Sequence, residues 1–191
     1  MRIIDAQRDV RTVFAGGFFG QLVSSVTWCL SAATATWHSP TAAIIVLFVG
    51  GAFIFPLTQL LLRLSGRQSS LPKGHPMNAL AMQIAFTLPL NFPLIIAATA
   101  YRQTWFYPAF MIALGAHYLP FVFLYGMWQF AALAGLLVCS GLIIGLYVPT
   151  VFGVGGWVTA AVLLLFAFVG RDTALSSNGA EPRGEDATIA H

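Results

Sequence analysis

Between Val10 and Arg171 the chain contains no aspartate and no glutamate. Its six acidic residues are Asp5, Asp9, Asp172, Glu181, Glu185 and Asp186, all near the two ends. The gap excludes paired carboxylates as an acid–base machine in that stretch. It also removes the intramembrane carboxylate on which proton and sodium coupling commonly rely. Charge of either sign is scarce, at 8% of residues, against about 25% in a typical soluble domain. A soluble domain could not cover its surface with so few charges. Cysteine is nearly absent too. Cys29 and Cys139 sit inside apolar runs without metal-ligand spacing and read as small hydrophobes in helix contacts. No nucleophile elbow and no zinc-protease motif occurs. Gly66 to Gly74 is not a phosphate-binding loop, because the Lys73-Gly74 order is reversed and no Ser or Thr follows the lysine. The net charge of +3 carries no basic cluster interleaved with aromatics, so no nucleic-acid partner is expected.

What fills the gap is hydrophobic residue, 58% of the chain. Six apolar runs predict helices at about 13–36, 42–62, 79–100, 107–126, 130–148 and 154–169. Each approaches the roughly 20 residues that cross a bilayer core. None shows the alternation of a barrel strand, and open sheets cannot span lipid, so the expected fold class is all-α. The expected architecture is a polytopic bundle of six transmembrane helices with both termini cytoplasmic. In that frame every Lys and Arg except Arg102 falls on the cytoplasmic side, as the positive-inside rule asks. Trp37, Tyr101, Trp105, Tyr107 and Tyr147 then mark the outer boundary, and Tyr125 and Trp128 the inner one. The domain reading is an interfacial segment at 1–12, a membrane domain at 13–170 and a disordered tail at 171–191. The tail is rich in Ser, Gly, Ala and acidic residues and has no apolar periodicity. The run ending Ala33-Thr34-Ala35 has the outline of a cleavable signal. Asp5 and Asp9 ahead of it, and Gln21, Ser24, Ser25 and Thr27 within it, argue instead for a retained span.

Polar residues inside the spans form three groups. Gly17, Gly20, Ser24, Thr27, Ser31 and Thr34 recur alternately three and four residues apart, the spacing of a close-packed helix seam. Gly141 and Gly145 make a second small-residue contact. In the third run Gln83, Thr87 and Asn91 share one helix face, and Pro89 and Pro93 flank Asn91. Each proline frees a carbonyl four residues earlier, and proline-broken spans form binding sites in transporters. His117 lies near the middle of the fourth run on a side shared with Ala109, Ala113, Ala116 and Pro120. An imidazole there can bind a solute, relay a proton or simply bond two helices together. Depth counting places Asn91 and His117 at one level, and Gln21, Gln59 and Gln83 at another nearer the cytoplasm. Arg63, Arg67 and Lys73 in the longest loop are placed to meet anionic lipid headgroups.

Three blocks carry a resemblance: Phe55 to Leu64 (FPLTQLLLRL), Asn91-Phe92-Pro93, and Gly115-Ala116-His117-Tyr118-Leu119-Pro120. Over about Gln7 to Val169 the chain resembles a bacterial family of small multi-span membrane proteins, a domain of unknown function. The resemblance implies a multi-pass protein of the bacterial inner membrane and no particular chemistry. The expected function is binding or passage of a neutral or amphipathic small molecule, with His117, Asn91, Gln83 and Thr87 lining the site. The competing expectation is a non-catalytic structural or accessory subunit, acting through helix contacts with itself, as a homo-oligomer, or with a membrane partner. Neither an enzymatic activity, a cofactor nor a metal is expected. The lipid bilayer is the partner common to both readings.

Overall fold

The computed structural model describes residues 2–148 and 151–179, with the backbone alone at 174–179. Among the described residues there are nine α-helices and no strand: α1 (Ile3–Val13), α2 (Phe18–Trp37), α3 (Pro40–Leu64), α4 (Met77–Leu90), α5 (Phe92–Tyr101), α6 (Phe106–Tyr118), α7 (Phe121–Tyr125), α8 (Gln129–Tyr147) and α9 (Val154–Gly179). Five continuous stretches are long and apolar enough to cross a membrane. They are Pro40–Leu64, Met77–Tyr101, Gln103–Tyr125, Gln129–Tyr147 and Val154–Thr173. A sixth exists if α1 and α2, bent by 65°, count as one broken span.

Local chemistry sets the boundaries. Ser39 caps α3 by accepting from the Ala42 N–H at 3.2 Å, with Pro40 just inside the first turn. Gly126, at φ 64°, ends α7 in the left-handed conformation that glycine adopts without strain. α1 is separated from α2 by a left-handed turn in which Ala15, Gly16 and Gly17 all have positive φ. The first long apolar helix therefore starts at Phe18 rather than at 13, and Gly17 belongs to the turn. At the other end, α9 runs on to Gly179. The expected disordered tail thus begins as helix over 171–179, and 180–191 lie outside the described residues.

α2 sits between α3 and α9, while α6 packs on α8. The α6–α8 approach is close because Gly115 lacks a side chain. A Cβ there would lie 2.8 Å from the Ala134 carbonyl oxygen and 2.7 Å from Val138. In the same way Gly155 and Gly156 bring α9 against Tyr107. One half of the core is aromatic: Trp28, Phe48, Phe92, Phe106, Tyr107 and Phe110 meet in tilted and edge-to-face pairs. Toward the other end Tyr118, Phe121, Tyr125 and Phe130 form a second aromatic group. Of the aromatics expected at the boundaries, Trp105 is half-buried, and Trp37, Tyr101, Trp128 and Tyr147 are exposed. Tyr107 and Tyr125 are not: both point into the bundle and are buried. Sequence depth alone could not separate an aromatic that marks the interface from one that fills the core at the same level.

Candidate functional site

The polar residues expected to line a site are distributed unequally. α4 and α5 form one span with a break at Asn91, between Pro89 and Pro93. The Asn91 backbone N–H bonds only three residues back, to Leu88 at 3.0 Å. That leaves the Thr87 carbonyl free, and the Asn91 side chain donates to it through Nδ2 at 2.7 Å. The amide thus repairs a backbone bond that proline geometry disturbs. Thr87 faces α6. Its Oγ1 lies 2.7 Å from the Ile84 carbonyl oxygen and 2.7 Å from His117 Nδ1. Thr87 therefore joins both Asn91 and His117, and the three form one cluster midway along their spans. His117 also meets the ring edges of Tyr118 and Phe121, at centroid distances of 5.7 and 5.2 Å. Gln83, although on the same helix face by count, is exposed and takes no part in this cluster. The deeper layer does not form either. Gln21 is buried, Gln59 half-buried and Gln83 exposed, and no hydrogen bond joins them among the described residues.

The seam residues of α2 lie along its contacts with neighbouring helices. Gly20 faces Thr58 of α3, and Thr27 faces Gly50 of the same helix. Ser24 is buried in the bundle. Ser31 donates to the Ala43 carbonyl of α3 at 2.8 Å and contacts the Tyr107 hydroxyl at 2.6 Å. Thr34 turns back to its own helix, donating to the Leu30 carbonyl. Gly141 and Gly145 lie over Pro108 of α6 and floor an apolar groove of about 150 Å³, walled by Trp105, Ile112, Leu142 and Leu146. This groove does not reach His117 or Asn91.

Of the loop cations, Arg63 bonds Ser69, Arg67 donates to the Thr12 carbonyl at 3.1 Å, and Lys73 is exposed. Arg67 thus meets the chain itself as well as the surface. Its contact belongs to a set that sequence reading missed. Gln7 donates to the Phe123 carbonyl at 2.7 Å, and Arg11 donates to the Tyr125 carbonyl at 2.6 Å. These are carbonyls at the C-terminus of α7, where helical partners run out and the dipole favours a cation. His75 Nε2 lies 3.3 Å from Asp9, while its Nδ1 accepts from the Met77 N–H at 3.2 Å. The ring therefore carries its proton on Nε2 and donates it to the carboxylate. α1 is in this way strapped across one end of the bundle. The i, i+4 pair Gln7 and Arg11, on one helix face, was the available signal. Among the described residues no group of His, Cys, Asp and Glu could hold a metal ion.

The fold is an all-α bundle with five or six helices long and apolar enough to cross a membrane, and the site is a small, half-buried, uncharged polar cluster. The chain belongs to a family of unknown function (DUF7010), which it matches over residues 3–171. No curated protein and no solved structure matches it.

Proposed function

We propose that this protein binds a neutral or amphipathic small molecule from the bilayer, at the polar cluster between α4 and α6 formed by Thr87, Asn91 and His117. The observation that carries the reading is that His117 is held through Nδ1 alone. Its second nitrogen has no hydrogen-bonding partner among the described residues. An unmet polar atom at this depth is costly unless something else supplies a partner. The half-buried cluster is within reach of such a molecule because the α4–α5 span lies at the rim of the bundle. Only 11% of its most apolar stretch is buried. The setting we propose is the bacterial inner membrane, crossed six times, with both ends in the cytoplasm.

The test is thermal unfolding of the detergent-solubilised protein against a panel of neutral and amphipathic solutes. A solute at a hundredfold its Kd should add about 2.7 kcal/mol of stability by mass action. His117→Ala and Asn91→Ala should abolish that gain. A panel that leaves the wild type and both variants with identical shifts would defeat the reading. A second reading, an accessory subunit working through helix contacts, draws support from α3, of which only 6% of the most apolar stretch is buried. It predicts a defined oligomer or co-purifying membrane partner, lost when large residues are placed on the exposed face at Phe53 and Leu57.

A further inference from the structure

We propose that the ligand of the His117 site is a hydrogen-bond donor, the hydroxyl of an apolar alcohol, and not an acceptor such as an ether, ester or carboxylate. The inference rests on the binding reading above and adds the polarity of the contact.

It follows from counting protons. Thr87 has a single hydroxyl proton and two oxygen or nitrogen neighbours at 2.7 Å. One neighbour, the Ile84 carbonyl oxygen, can only accept, so the hydroxyl proton points there. The other contact, with His117 Nδ1, would then set two lone pairs against each other unless Nδ1 carries hydrogen. Nδ1 is therefore the donor and Thr87 Oγ1 the acceptor. A charged ring is expensive at this depth, and no carboxylate lies between Val10 and Arg171 to offset it. The ring is neutral, so Nε2 holds an in-plane lone pair.

Among the described residues nothing answers that lone pair. Nε2 makes no hydrogen bond and is not sealed among protein atoms. The ring's other neighbours are the aromatic rings of Phe121 and Tyr118, met edge-to-face. A molecule filling this place needs an apolar body and one neutral O–H at its head. An ester or ether would present lone pairs to a lone pair. A carboxylate would add a buried charge without a partner, and an ammonium would bring a charge into hydrocarbon.

The experiment uses the full-length protein in nanodiscs with ¹⁵N-labelled histidine, and two matched probes, cetyl alcohol and its methyl ether. The expected spectrum of His117 has a pyrrole-type Nδ1 signal and a pyridine-type Nε2 signal. Cetyl alcohol should move the Nε2 signal and raise the unfolding temperature, with about tenfold tighter apparent binding than the ether, the worth of one hydrogen bond. His117→Phe keeps the ring's bulk and should erase the difference between the probes. Thr87→Val frees Nδ1 and should let the proton redistribute between the nitrogens, while Thr87→Ser should not. A pyrrole-type Nε2 in the wild type would overturn the inference whatever binds. Equal binding of both probes, lost in His117→Phe, would keep the site but overturn its polarity. If neither probe binds while other solutes in the panel protect through His117, the alcohol assignment fails alone. If nothing in the panel protects, the binding reading falls and takes this inference with it.

Discussion

At the scale of single residues, the interior is governed by proton accounting as much as by volume. Ser31 shows this apart from any ligand. Its one proton goes to the Ala43 carbonyl at 2.8 Å, so the 2.6 Å contact with Tyr107 must be a donation from the tyrosine hydroxyl. Ser31 is thus both donor to α3 and acceptor from α6, a single side chain joining three helices. Removing it leaves the buried Tyr107 hydroxyl without an acceptor, and stranded polar groups cost more than lost bonds gain. Ser31→Ala should therefore destabilise by about 1–2 kcal/mol. Tyr107→Phe, which strands no donor, should cost less, about 1 kcal/mol or under. The double variant should be more stable than the sum of the two losses implies, because it contains no orphan hydroxyl. Chemical denaturation of all four proteins in one detergent closes the cycle. Strict additivity would show that the two hydroxyls do not depend on each other. Asn91 and Thr87 follow the same accounting, since the amide restores a bond that the neighbouring prolines disturb.

At the scale of elements, α1 is the clearest case of a segment held by polar contacts rather than by apolar burial. Ala6 and Val10 are buried, but Ile3 and Ile4 remain exposed. The docking bonds run from Gln7 and Arg11 to α7 and from Asp9 and Thr12 to the α3–α4 loop. Charge-assisted bonds to carbonyls are worth about 1.5–3 kcal/mol. Gln7→Leu with Arg11→Met keeps side-chain bulk and removes both α7 contacts. Amide exchange over residues 3–13 should then accelerate at least about tenfold, that is, by one such bond's worth, with the spans unchanged. Asp9→Asn, which retains an acceptor for His75, should leave exchange in α1 slow. Equal loss of protection throughout the bundle would mean that α1 is part of one cooperative unit instead of a docked strap. This element also shows where sequence reading stops. The apolar runs at 42–62, 79–100, 107–126 and 130–148 foretold α3, α4–α5, α6–α7 and α8 within a few residues, because lipid permits little besides helix. The break at Asn91 was legible from Pro89 and Pro93. The left-handed turn at Ala15–Gly17 was not, since an alanine with φ 49° contradicts local preference and is imposed by the docking of α1. Gln83 failed for a related reason. Helical periodicity assigns a residue to a face, but at the rim of the bundle one face can be half protein and half lipid.

At the scale of the whole molecule, the open quantity is the number of crossings, and it turns on α2. Its polar seam leaves it less apolar than the other spans, so composition alone returns five or six. Packing favours six. Gly20 against Thr58, Thr27 against Gly50 and Ser31 against Ala43 lie in antiparallel register along α2 and α3. A helix matched in this way to a spanning helix traverses the same depth. α1 supplies the other constraint. Its bonds to the end of α7 and to the α3–α4 loop put the N-terminal cations at the same end of the bundle as Arg63 and Arg67. His38, beyond the far end of α2, must then be at the opposite end, near Arg102. Single cysteines at Arg8, His38, Ser70 and Gln103, in a background with Cys29 and Cys139 replaced by alanine, test this with a membrane-impermeant maleimide. In right-side-out vesicles, His38→Cys and Gln103→Cys should react at once. Arg8→Cys and Ser70→Cys should react only after permeabilisation. If Arg8→Cys and His38→Cys were to label from the same face, α2 would not cross. The membrane domain would then have five spans, with its positive charges divided between the two sides against the usual rule. The proton count at Thr87 would survive that result, but the depth at which His117 meets its ligand would have to be argued again.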